Sequence, residues 1–318
     1  MRRSCARGRA PASTEPPRAC ATHSAAVAVD EPPPLARSLA GDCLDGTAAR
    51  AHVRAPDPSG GGGRLRGMSE ASRDVLRRAV AEFIGAFTLI FIGTGAAVAA
   101  QTIGDPTLIG VAVANGLAIG VMVSALGHIS GGHFNPAITL GFLVTRRIKP
   151  SIAAAYWGAQ LAGAAAAAGA VRGLIPTSLT EAPVNLGVPA TGHGVSAGQA
   201  FGLEAVMTFF LVWVVFASAA DPRGTFKSIA GLAIGLTITI DVLFGGPFTG
   251  AAMNPARAFG PQVVGNHWTQ GWIWYAGPFA GGLVAALLYE FLYLRPIAPE
   301  PVGPPSSGVI EPRAGEAA

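Results

Sequence analysis

Residues Gly245 to Pro261 read GGPFTGAAMNPARAFGP, and residues Gly127 to Gly141 read GHISGGHFNPAITLG. Both contain Asn-Pro-Ala, at Asn135, Pro136 and Ala137 and again at Asn254, Pro255 and Ala256. The tripeptide opens a helix: Asn caps free backbone N–H groups, Pro has the φ of the first turn preset, and Ala is the best helix former. The Gly, Ser and Thr residues upstream are loop chemistry. One such start is common in any protein. Here two starts lie 119 residues apart, each wedged between long apolar segments.

Working outward, six apolar segments run from about Val75 to Ala100, Leu108 to Leu126, Ile152 to Val171, Ala200 to Ala220, Ile229 to Phe244 and Trp272 to Leu294. Roughly 20 residues cross the hydrocarbon core. The fifth segment is short on that measure and is extended by Thr225 to Ser228. A hydrophobic content of 50%, a charged content of 13% and a mean hydropathy of +0.44 place the chain among integral membrane proteins. Asn135 to Val144 and Asn254 to Val264 are too short to span, so they enter the bilayer and return. Irregular backbone at that depth must be buried in protein or line a water-filled cavity, and paired broken helices point to a transport site.

The halves repeat. AEFIGAFTLIF, with Glu82, recurs as LEAVMTFFLVW, with Glu204. Three spans plus one half-span per half force the second half to insert upside down. The predicted fold is an all-α membrane protein: six transmembrane helices and two re-entrant half-helices in an inverted repeat. Arg73, Arg77, Arg78, Arg146, Arg147, Lys149, Arg223, Lys227 and Arg295 fall on one side of that layout. Both termini are therefore expected in the cytoplasm, with the plasma membrane as the default location. Trp268, Trp272, Trp274 and Tyr275 suit the outer interface, and Gly116, Gly120, Gly231 and Gly235 suit close helix crossings.

Residues 1 to 67, rich in Pro, Arg, Ala and Gly, are expected to be a disordered extension, 68 to 296 the membrane domain and 297 to 318 a disordered tail. Met68 opens a credible protein start of its own. Cys5, Cys20 and Cys43 have no metal-ligand spacing. No basic cluster is interleaved with aromatics, which argues against nucleic acid. No nucleophile with its base and no HExxH set appears, so the chain reads as neither an enzyme nor a metal or cofactor protein.

Two half-helix N-termini facing each other place partial positive charge mid-pathway and repel cations. With each Asn oxygen capping its own helix, the amide N–H groups of Asn135 and Asn254 are left to donate into the lumen. Passing water must accept with its oxygen, which breaks a proton-conducting chain. Arg257 adds a fixed charge above the second half-helix. Glu82 and Glu204, costly within spans, are expected to satisfy the loop N–H groups. His128 and His133 are read as loop scaffold rather than metal ligands or pH sensors.

The paired boxes SGGHFNPAITLG and TGAAMNPARAFGP in an inverted repeat resemble the aquaporin, or major intrinsic protein, family over about Arg77 to Leu294. The approach Ile240 to Pro247 is similar to the plant vacuolar and ammonia-permeable animal branches. The resemblance implies a homotetramer with one pore per subunit in the lipid bilayer, and a selectivity filter at Asn115, Val242, Ala251 and Arg257. Strict water channels usually carry Phe and His at the first two of these positions, so Asn115 and Val242 imply a wider pore. The vacuolar-like branches normally have His where this chain has Asn115. The expected function is passive passage of water and small neutral solutes such as urea, ammonia and hydrogen peroxide, excluding protons and ions. Ala258 stands where glycerol facilitators usually have Asp. A glycerol facilitator, and a structural membrane protein with a poorly conducting pore, are the alternatives. A secondary transporter would need an ion site, for which Asp241 is the one thin candidate. Gln262 and His193 are weighed as outer-vestibule residues against an ordinary loop role.

Overall fold

The computed structural model describes residues 68–103, 108–224 and 227–295; the extension and tail expected from the sequence lie outside them, as do Thr225 and Phe226. Every long element is helical. In chain order these are α1 (Glu70–Ile103), α2 (Leu108–Ser130), α3 (Pro136–Val144), α4 (Pro150–Leu174), α5 (Thr177–Thr180), α6 (Ala197–Val215), α7 (Ala230–Thr249), α8 (Pro255–Gly265) and α9 (Ile273–Tyr289). A π-helical turn prolongs α6 over Phe216–Ala220 and α9 over Glu290–Leu294. The all-α membrane fold expected from the sequence is the one observed.

Five helices are long and apolar enough to cross a membrane: α1, α2, α6, α7 and α9. The sixth expected span, α4, does not reach that hydropathy, although its 25 residues would cover about 37 Å at 1.5 Å per residue. The reason is composition. Ala and Gly dominate α4, and they add little hydropathy while permitting close packing. Its length and its packing along α1 still make it the equivalent of a span.

The helices pair as an inverted repeat requires. α1 lies along α4 in the first half as α6 lies along α9 in the second, and α2 against α7 joins the halves. The half-helices cross over: α3 packs on α9, and α8 on α4. Small residues set the spacing. A Cβ on Gly116 or Gly235 would run into the other's carbonyl oxygen, and one on Gly231 into that of Gly120, so α2 and α7 touch backbone to backbone.

One expectation fails at the end of α7. The stretch Gly245 to Thr249, read as loop, is the last helical turn, which closes on left-handed Gly250. Pro247, two residues from the helix end, has no N–H to donate to the Leu243 carbonyl, so that bond of the ladder is missing. Gly245 is flush against the Met207 thioether, which a side chain at 245 would have to displace. The outer-interface reading fails for Trp274, which is fully buried and donates Nε1 to the Thr249 carbonyl at 3.0 Å. Trp268 and Trp272 are exposed.

Candidate functional site

Each half-helix starts as its sequence dictates. Asn135 is extended at φ −152°, its Oδ1 accepts from Ala137 N–H at 2.8 Å, and Pro136 follows. Asn254, at φ −149°, accepts from Ala256 N–H at 2.9 Å and from Arg257 N–H at 3.3 Å, and Pro255 follows. The preceding residues, Phe134 at φ 49° and Met253 at φ 51°, share the left-handed region that non-glycine residues avoid. That conformation turns each residue's N–H one way and its carbonyl another.

The N–H groups go to the two buried glutamates. Glu82 accepts from His133 N–H (3.0 Å) and Ser130 Oγ (2.6 Å) on Oε1, and from Phe134 N–H (2.6 Å) and Gln160 Nε2 (2.7 Å) on Oε2. Glu204 accepts from Thr249 Oγ1 (2.7 Å) and Ala252 N–H (2.9 Å) on Oε1, and from Met253 N–H (2.7 Å) on Oε2. Both carboxylates are wholly buried, where such a dense set of donors is what makes a charge tolerable.

The carbonyls go across the repeat. Asn135 Nδ2 donates to Met253 O at 2.9 Å and Asn254 Nδ2 donates to Phe134 O at 3.0 Å. This amends the sequence reading, in which both amide hydrogens were free: one hydrogen of each asparagine fastens the opposite loop, which leaves one to face the lumen. His133 Nδ1 pairs with Thr139 Oγ1 at 3.1 Å, and its ring rests on Phe142.

Asn115, Val242, Ala251 and Arg257 meet Asn135, Asn254 and His133 around a single narrow cavity. Leu89, Ile119, Ile138, Leu211, Ile234 and Ile238 supply most of the rest of its wall. The space in which a water centre fits is about 20 Å³, room for one or two waters at a time. Arg257 Nη1 is held by the Gly187 carbonyl at 2.9 Å. Asn115 Nδ2 donates back to Val111 O at 2.8 Å, and its carboxamide lies over Gly93, drawn along its own helix rather than across the cavity.

Several participants gave no usable sign of their role beforehand. Gly187 acts through a backbone carbonyl, which no residue type announces. Ser130 and Thr249 occupy equivalent repeat positions ahead of the two boxes, a correspondence that could have marked them. Tyr156 donates its hydroxyl to the Ser130 carbonyl much as Trp274 donates to that of Thr249. Gln262 is buried and accepts from Tyr275 Oη at 2.7 Å, while His193 is exposed in the loop before α6. Asp241 is buried with Oδ2 unpartnered, and is not among the residues around the cavity. Among the described residues no group of three His, Cys, Asp or Glu side chains is placed to hold a metal ion.

The chain matches the family model described as Major intrinsic protein over residues 69–289. A probable aquaporin TIP-type alpha of Phaseolus vulgaris is 42% identical over 235 residues, 72% of this chain and 89% of that protein. Aquaporin TIP4-4 of Zea mays is 40% identical over 246 residues, covering 76% of this chain and 95% of that protein. Aquaporin NIP1-4 of Oryza sativa subsp. japonica is 42% identical over 243 residues, 76% and 86% respectively. Among solved structures, the aquaglyceroporin from Plasmodium falciparum superposes with a TM-score of 0.62 at 25% identity, over 68% of this chain and 96% of its own.

Proposed function

The chain belongs to the major intrinsic protein family, whose members are transmembrane channels for water and small solutes rather than enzymes, and from that premise we propose that it passes water together with urea, ammonia and hydrogen peroxide while excluding protons and ions. The observation that carries this reading is the convergence of both capped asparagines, Asn115, Val242, Ala251 and Arg257 on one narrow cavity. Asn135 and Asn254 form the central constriction. Each keeps one amide hydrogen for the lumen, and the two half-helix N-termini add their positive ends. A water held there accepts with its oxygen from both sides, and the aliphatic wall offers it few other partners. Proton hopping through an unbroken chain of waters is thereby interrupted.

Asn115, Val242, Ala251 and Arg257 form the selectivity filter. Arg257 supplies charge and donors and repels cations. Val242 is apolar and Ala251 small, and the retracted Asn115 leaves the passage wider than a ring would. Glu82, Glu204 and His133 support the loops. The same reading proposes a homotetramer in the cell membrane, with both termini cytoplasmic, a proposal supported by the asymmetry of its basic residues. A glycerol facilitator is the less favoured reading: relatives named aquaporin are about 40% identical to this chain, and the aquaglyceroporin 25%.

Stopped-flow light scattering of proteoliposomes, challenged in turn with an impermeant osmolyte, urea and glycerol, tests this. Fast water exchange with a low activation energy, rapid urea entry and slow glycerol entry are expected. Loss of ion exclusion is expected in Arg257→Ala. Rates equal to empty vesicles from folded protein would favour the structural alternative, and water passage without urea would refute the wide filter.

A further inference from the structure

The two half-helices end in similar geometry but with different residues. At the close of α3, Arg146 N–H donates to Leu143 O at 3.0 Å and Arg147 N–H to Phe142 O at 2.8 Å, with Arg146 at φ 61°. This paired arrangement calls for glycine, or asparagine, at the left-handed position, because a side chain there crowds the backbone. α8 complies, with Asn266 at φ 54° and His267 N–H bonded to Gln262 O at 3.2 Å. Arg146 thus stands where local backbone preference selects against it and where glycine would serve the turn better.

Its side chain finds no compensation among the described residues. Arg146 is exposed and makes no ion pair or side-chain hydrogen bond among the described residues. Its neighbour Arg147 is by contrast tied to Glu290 Oε2 at 2.7 Å. Lys149, three residues on, is exposed and unpaired too. α1 begins at the same end, since Arg78 lies against Tyr156 of α4, and it brings the exposed, unpaired Arg73 and Arg77. The acids here are largely engaged: Asp74 with Arg78, Asp221 with Arg223, and Glu290 with Arg147 and Arg295. Among the described residues at this end, Glu70, at the tip of α1, is the one unpaired acid. The uncompensated charge of the described residues at this end is positive.

Because the chain crosses a bilayer, this end lies among the headgroups of one leaflet. We infer that Arg146 and Lys149 form a docking point for the phosphate of an anionic lipid in that leaflet, with Arg73 and Arg77 adding attraction. A planar guanidinium binds phosphate oxygens two at a time. Each basic residue beside an anionic membrane strengthens attraction by about fivefold. The inference rests on the chain's crossing a membrane and is independent of what passes through it.

Thermal unfolding of the full chain in zwitterionic micelles, followed by tryptophan fluorescence, provides the test. Short-chain phosphatidylglycerol, short-chain phosphatidylcholine and inorganic phosphate are titrated in separate arms. Phosphatidylglycerol is expected to raise the unfolding midpoint saturably. Arg146→Gly is expected to start at an equal or higher midpoint and to need about fivefold more phosphatidylglycerol for the same rise, as is Lys149→Gln. An Arg146→Gly titration identical to wild type would overturn the proposal. So would an equal response to phosphatidylcholine, or an equal response to inorganic phosphate, which would mark a free-anion site. If Arg146→Gly fails to fold, Lys149→Gln decides by the same criterion.

Discussion

The side-chain amide of Asn135 donates to the Met253 carbonyl at 2.9 Å, across the interface between the two halves of the chain. The reciprocal bond, from Asn254 to Phe134 O at 3.0 Å, makes the two loops a single clamp. Each asparagine therefore does two jobs, capping its own half-helix and fastening the other loop. Asn135→Ala removes the cap and leaves both Ala137 N–H and Met253 O without a partner. A loss of about 2–4 kcal/mol is expected from the cap and the orphaned groups together. Thermal unfolding in micelles measures it. Asn135→Ala and Asn254→Ala combined should cost less than the sum, since the first already loosens the clamp. Strict additivity would mean that the loops are held independently.

How much of this was legible depended on whether a residue acts through its type or through its backbone. The half-helix starts, the paired glutamates and the close Gly crossings were readable because capping, buried charge and missing Cβ atoms leave marks in composition. The last turn of α7 was not, because Gly245 and Pro247 signal a loop locally while packing against Met207 keeps the segment helical. α4 was counted as a span although its alanines give it weak hydropathy. The hold of Gly187 on Arg257 was invisible, since a carbonyl can belong to any residue.

The buried glutamates should be hard to neutralise. In Glu204→Gln an amide nitrogen must face at least one donor, most directly Met253 N–H, now at 2.7 Å from Oε2. A cost of about 2–3 kcal/mol follows from one orphaned buried donor. In Glu82→Gln, Gln160 can turn so that its unpartnered Oε1 accepts from the new amide. The penalty for Glu82→Gln should accordingly grow in a Gln160→Leu background. Unfolding midpoints of the two singles and the double read this out, and an unchanged penalty would remove Gln160 from the account.

Outside the spans, Asp221 carries a pH dependence. Arg223 bonds its carboxylate through Nη2 at 2.8 Å and Nε at 3.1 Å, Arg223 N–H adds a contact at 2.9 Å, and Tyr289 Oη adds one at 3.1 Å. The Arg223 side chain is the main cause that pulls the Asp221 pKa down to about 2. A carboxyl whose folded pKa lies below its unfolded value, about 3.9, stabilises the fold above that value. That contribution is lost as pH falls toward 2. From pH 7 to 5 the unfolding midpoint should thus be insensitive to this group, and below about 4 it should drop more steeply than in Asp221→Asn. Parallel profiles for the two proteins would exclude Asp221 as a contributor.

Gly93 governs where Asn115 can go. A Cβ at residue 93 would collide with Asn115 Oδ1, the free end of a side chain able to swing away, so the protein should tolerate Gly93→Ala. The displaced carboxamide has α1 behind it and the cavity in front. It should therefore move into the passage and narrow it. Urea, the wider solute, is expected to slow by about tenfold, the effect of about 1.4 kcal/mol on a barrier, while water slows by much less. Asn115→Ala added to Gly93→Ala removes the obstructing group and should restore urea entry. Stopped-flow measurements on the three variants decide this. Equal slowing of both solutes, or no recovery in the double variant, would mean that the substitution acts through helix packing and not through Asn115.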